Sequence, residues 1–179
     1  ASAAAGESTS LTTGTYKGDR KRLRIQLNNA GGSAASSYRY RLEVSSSTCT
    51  VWVPVPTDST LSLQHWVMDY SQYVPDGAVT TNVASLLTDP VGTFSAGLVT
   101  VASSTSASLT ILRDYYSEIE YSVRSTQYVS PGTTYCFRVT NDGSTTYFTY
   151  TVQPQIVVSG EQRPVAGGAS TESDGGGTP

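Results

Sequence analysis

The chain has 179 residues, 37% of them hydrophobic and 14% charged, with a formal net charge of -3. That size suits one core rather than two linked domains, and the small negative charge excludes nucleic acid as an expected partner. Ser, Thr, Gly, Val and Tyr outweigh the strong helix formers, and no apolar run reaches the roughly 20 residues that a membrane-spanning helix needs.

Residues 1–16 are small and polar, with Leu11 the one large aliphatic side chain. Such a segment buries too little to offset its own ordering entropy, so it reads as a loose N-terminal arm. The folded domain is expected over residues 17–158. It opens with Lys17, Arg20, Lys21, Arg22 and Arg24, the densest basic group in the chain and a candidate surface for an anionic glycan, a lipid surface or an acidic patch on a neighbouring subunit. The same residues also read as the solvated face of a strand, because Leu23, Ile25 and Leu27 alternate with Arg22, Arg24 and Gln26. After a Gly, Ala and Ser turn region, residues 38–44 repeat the pattern: Tyr38, Tyr40, Leu42 and Val44 on one face, Arg39, Arg41 and Glu43 on the other. The two strands are expected to pair as a meander.

Residues 49–55 alternate Cys49, Val51, Val53 and Val55 against Thr50, Trp52 and Pro54. Pro54 and Pro56 place this strand at an edge or end it. Trp66 and Met68 predict a strand face within 63–70. Pro75-Asp76-Gly77 and Asp89-Pro90 are turn signals, and short elements are expected at 94–101 and 109–112. Ile119, Tyr121 and Val123 face inward in a strand over 118–124, with Glu118 and Glu120 facing outward. Residues 133–152 read as a β-hairpin turning at Asn141-Asp142-Gly143-Ser144. Residues 155–158 extend its return strand or form a separate one, and a Gly-rich tail occupies 159–179. Roughly eight to ten short antiparallel strands with little helix indicate an all-β fold, a β-sandwich or jelly roll.

Cys49 and Cys136 are the only cysteines. No histidine adjoins either, so one disulfide is the natural reading, stabilising by on the order of 4 kcal/mol through the long loop it closes. His65 is the only histidine, and Gln64 and Trp66 beside it read as ordinary strand residues rather than parts of a catalytic triad. Glu118 and Glu120 share a face, as glycosidase carboxylates would. Cross-strand pairing with Arg39, Arg41 or Arg138 explains them better. Asp76-Gly77 and Asn141-Asp142-Gly143 offer oxygen ligands, but neither has the alternating acidic loop of a calcium site. No catalytic residue, metal site or cofactor is expected. Tyrosines outnumber phenylalanines by 12 to 3, and Tyr70, Tyr73, Tyr115 and Tyr116 fall in loop-like sequence, a candidate aromatic binding surface for glycans.

The strands Tyr38 to Val44, Glu118 to Val123 and Tyr135 to Asn141 resemble the repeating β-sandwich domains of secreted bacterial surface proteins, over about Arg22 to Val158. In architecture alone the pattern is similar to immunoglobulin and fibronectin type III domains. The resemblance implies an extracellular or cell-surface location, reached after removal of a signal peptide, and a structural or adhesive role. It supplies no catalytic residues.

The leading expectation is a structural subunit of an extracellular filament, pilus-like, that polymerises head to tail with copies of itself by adding a terminal segment to a neighbour's sheet. The candidate donors are residues 7–16 first and 155–165 second, with Leu11, Tyr16, Ile156, Val157 and Val158 as the candidate subunit interface. The alternative is a monomeric glycan-binding or adhesion module of a surface protein.

Overall fold

The computed structural model describes residues 7–12, 14–57, 63–70, 73–83 and 87–160. Where large apolar side chains alternate with polar ones, the chain is extended. The strands are β1 (Arg20–Asn28), β2 (Ala35–Tyr38), β3 (Tyr40–Ser46), β4 (Val53–Pro54), β5 (Trp66–Met68), β6 (Thr93–Phe94), β7 (Val99–Thr100), β8 (Leu109–Ile111), β9 (Tyr115–Ser125), β10 (Thr134–Asn141) and β11 (Gln155–Val157). There is no helix among the described residues, and the fold is all-β and sandwich-like, as the alternation predicts.

One sheet runs β1-β9-β5, with β6 and β7 also bonded to β9, and the second runs β11-β10-β3-β4. A small third sheet joins β2 to β8. Pairing is antiparallel except for β6 and β7, which lie parallel to β9. The expected meander does not form: β1 pairs with β9 and β3 pairs with β10. Alternation tells each strand which face to bury, but it does not choose the neighbour.

The expected hairpin over 133–152 forms only in part. Its tight turn is present, with Asn141 and Ser144 exchanging backbone hydrogen bonds of 2.9 Å, and with Asp142 and Gly143 both at positive φ. Beyond Ser144 the chain leaves the sheet. Tyr147 takes a positive φ of 72°, and the Tyr150 hydroxyl donates to the Val139 carbonyl (2.7 Å), where a returning strand would have bonded. Instead β11 lies along the first half of β10, with Tyr135 opposite Ile156. The strand expected over 49–55 is likewise reduced to β4, an edge held to β3 at Val53 and Pro54.

The core lies between the two larger sheets. Trp66 is fully buried, with the rings of Tyr135 and Phe137 set edge-on at 5.8 and 5.3 Å. Leu42, Val44 and Val139 meet Leu23, Ile119, Tyr121 and Val123 from the opposite sheet. Tyr121 also donates its hydroxyl to the Tyr40 carbonyl (2.8 Å), so the polar tip of a buried ring ties one sheet to the other. Cys49 and Cys136 are joined as expected, with a Cα to Cα distance of 5.6 Å and 87 positions between them. The segment before β7 approaches β9 so closely that Gly97 has no room for a side chain: a Cβ there would collide with the Glu118 carbonyl and lie 2.8 Å from Ser117 Oγ.

Candidate functional site

The edges of the sheets are managed unequally. At β4 the proline nitrogen of Pro54 removes a donor, which discourages another strand from pairing there. At β11 the edge is occupied by the chain itself. Leu11 bridges Ile156 and Tyr16 bridges Gly160, both in parallel. The Leu11 N–H donates to the Gln155 carbonyl (2.9 Å), the Val157 N–H donates to the Leu11 carbonyl (2.8 Å), and the Ser159 N–H donates to the Thr15 carbonyl (2.7 Å). The two segments considered as donors are therefore hydrogen-bonded to each other within one chain. Residues 1–6, Thr13 in the first candidate, the 161–165 part of the second and the rest of the tail to 179 lie outside the described residues.

Side chains add modestly to this ladder. Leu11 packs half-buried against the core, Ile156 and Val158 are buried, and Val157 and Tyr16 are half-buried. Ser10 Oγ donates to Gln155 Oε1 (2.8 Å), and Thr15 is buried. Ser10, Thr15, Gln155 and Ser159 fall within the two candidate donor segments but carry no side-chain signal of their own, because their part in the ladder is played largely by backbone groups that every residue carries. The available signal was the short Leu11 to Tyr16 run of β-branched residues. Loose behaviour, expected of the arm from its composition, gives way to pairing because β11 offers a line of unpaired carbonyls and N–H groups.

Past Tyr16 the chain turns tightly into β1. The Asp19 N–H donates to the Tyr16 carbonyl (3.1 Å), the Tyr16 N–H donates to Asp19 Oδ2 (3.1 Å), and Gly18 sits at a φ of 82°. The arm thus crosses from the edge of one sheet to the edge of the other. Because the pairing is parallel, Leu11 and Gly160 lie at opposite ends of the ladder.

The basic group is mostly not a free surface. Arg20 pairs with Asp69, Arg22 with Glu120, and Arg24 with Glu118 at 2.5 Å. Lys21 donates to the Gly14 carbonyl (3.0 Å), and Lys17 is half-buried in the turn. The cause is register: β1 lies beside β9, so its arginines stand over Glu118 and Glu120, which are buried rather than outward-facing. The expected partners Arg41 and Arg138 serve Glu43 instead, with Arg138 donating from Nε and NH2 at 2.9 and 2.8 Å and Arg41 at 2.8 Å. Burial alone would raise the Glu43 carboxyl, but those hydrogen bonds and the two positive charges outweigh it and hold its pKa below the usual value. Arg138 also lies 4.4 Å over the Trp52 ring.

The four tyrosines do not form one surface. Tyr70 and Tyr73 are exposed, at 66% and 83%, whereas Tyr115 and Tyr116 belong to β9. Tyr116 is buried against Phe94, with its hydroxyl 3.0 Å from Asn82 Nδ2. His65 packs edge-on against Tyr135, and burial lowers its pKa. Asp76 Oδ1 accepts the N–H groups of Val101 and Ala102, and Asn141 Oδ1 accepts that of Arg39, so both turn motifs serve the backbone. Among the described residues, no group of three or more His, Cys, Asp or Glu is placed to hold a metal ion, and no helix is long and apolar enough to cross a membrane. Comparison with protein-family models, curated proteins and solved structures gives no match.

Proposed function

We propose that this chain is a structural subunit of an extracellular filament or surface fibre, in which residues 7–16 of one copy occupy the β11 edge of the next. One observation carries the reading: Leu11, Thr15 and Tyr16 already bond in parallel along β11 and the residues just after it, and a tight turn at Gly18 joins them to the sandwich. The same bonds form equally well within a chain or between two chains, and exchanging an identical element is a low-cost route to association. Where copies exchange the arm head to tail rather than reciprocally, each copy that donates to the next remains an acceptor for the previous one, and the contact propagates.

A disulfide-tied sandwich, with a sequence like that of secreted surface domains, fits an oxidising, extracellular setting. The role requires no catalysis, metal or cofactor. The test is to compare the full chain with a variant lacking residues 1–16 by sizing and negative-stain microscopy at high concentration. Polymers of the full chain and dispersed monomers of the variant support the reading; equal assembly of the two rejects it.

A further inference from the structure

The sandwich is open between the end of β1 and the segment 147–154, where a cleft of about 740 Å³ runs down to the core. That volume is typical of small-molecule sites. Its two walls differ. The loop wall, from Ala30 to Ala35, carries no side chain larger than a hydroxymethyl and so leaves room. The facing wall carries aromatic rings. Phe148 and Tyr150, both half-buried, stack at 6.0 Å with an interplanar angle of 17°; beneath them the buried Tyr40 supports Phe148 at 6.3 Å and the half-buried Tyr38 at 6.1 Å. Tyr147 also lines the cleft, 89% exposed, on a backbone φ of 72°. A bulky residue in the left-handed region is disfavoured, and such outliers concentrate at ligand sites.

The polar groups of the cleft are neutral. Among its described lining residues the one charged side chain is Arg138, which is committed to Glu43. Asn29 exchanges backbone bonds with β9 and the turn before it, accepting from Asp114 at 3.0 Å and donating to Tyr115 at 2.9 Å. The alternation along β1 therefore turns the N–H and C=O groups of Asn28 and Gln26 away from β9, on the side of the cleft.

We propose that this cleft binds a neutral oligosaccharide. A sugar ring presents an apolar face that stacks on an aromatic ring and a rim of hydroxyls that exchange hydrogen bonds with amides, hydroxyls and backbone groups. The exposed ring of Tyr147 beside the half-buried rings of Tyr38, Phe148 and Tyr150, the absence of unpaired charge and the uncluttered facing wall meet those needs together. An added peptide strand would instead require separate pockets for alternate side chains. This inference is independent of strand exchange at β11.

The test is calorimetric titration of the full chain with cellohexaose, maltohexaose, mannohexaose and N-acetylchitohexaose, with polygalacturonate as the anionic control. The expected result is binding of at least one neutral hexasaccharide and none of polygalacturonate. Tyr147→Ala should weaken binding about tenfold, the effect of losing one stacked ring, and Ala34→Trp should block it by filling the cleft. Tyr147 is exposed, so its substitution should leave the melting temperature unchanged. Failure of all four sugars to bind, preference for polygalacturonate, or unchanged binding in either variant with a wild-type melting temperature would overturn the assignment.

Discussion

Strand β9 and the terminal ladder, which is bonded at Leu11, Thr15 and Tyr16, are both held to a neighbour by backbone hydrogen bonds, yet they are stabilised by different forces. β9 is paired along one side by β1 and along the other by β5, β6 and β7, and of its 11 residues only Tyr115 and Arg124 escape full burial. Its stability rests on side chains: Ile119, Tyr121 and Val123 in the core on one face, Glu118 and Glu120 under arginines on the other. The terminal ladder rests on a few backbone hydrogen bonds and the half-buried Leu11. Side-chain fit of the first kind is specific to one place in the fold. Backbone bonding of the second kind is available to any copy of the chain, and the proposed strand exchange draws on it.

The largest way to break the comparison is at the centre. Arg24→Ala strips Glu118 of the partner 2.5 Å away while leaving the carboxylate buried, so unfolding free energy should fall by about 3–5 kcal/mol in denaturant titration. A loss under 1 kcal/mol would show that the pair is solvated.

Alkaline pH acts on the same core more gently. Burial, with Tyr38 nearby, pushes the Tyr40 hydroxyl from 10.0 up to about 12, and burial raises Tyr121 as well. Between those two values the unfolded chain has released a proton that the folded one keeps. Stability is therefore fully present below pH 10 and declines as pH rises toward 12, by about 2–3 kcal/mol for Tyr40 alone. Melting temperatures measured from pH 8 to 12 should show this fall, and a flat profile would contradict the burial of these hydroxyls.

At the edge the expected effect is smallest. Leu11→Ala removes a half-buried side chain and should lower global stability by about 1 kcal/mol or less. It should nevertheless speed amide hydrogen exchange at Val157 and Ser159 far more than at β9 residues. Uniform acceleration would mean that arm and centre open as one unit.

The sequence made the strands more legible than their partners. Alternation in β1, β3, β9 and β10 fixed which side chains meet in the core, and the disulfide followed from a lone pair of cysteines. Glu118 and Glu120 were misassigned to solvent because polar residues alternating with apolar ones ordinarily mark a half-exposed strand; here segments around Thr80 and Gly97 cover the second face, with Thr80 Oγ1 donating to the Glu118 carbonyl (2.7 Å). Residues 145–152 kept strand-like alternation but not a strand, because their aromatic rings pack onto Tyr40 and one another rather than across a sheet. The edge ladder was legible only as two weakly patterned ends, since backbone bonding leaves little trace in side-chain identity.

The most direct test of strand exchange uses Ser10 and Gln155, whose side chains meet at 2.8 Å across the ladder. Ser10→Cys and Gln155→Cys are made separately, mixed under assembling conditions, oxidised and run on a non-reducing gel, with the double variant as the control for geometry. Strand exchange predicts covalent dimers in the mixture and a ladder of multiples in the double variant. A double variant that closes only within single chains, beside a mixture that stays monomeric, would show that residues 11–16 complete their own sheet and no other.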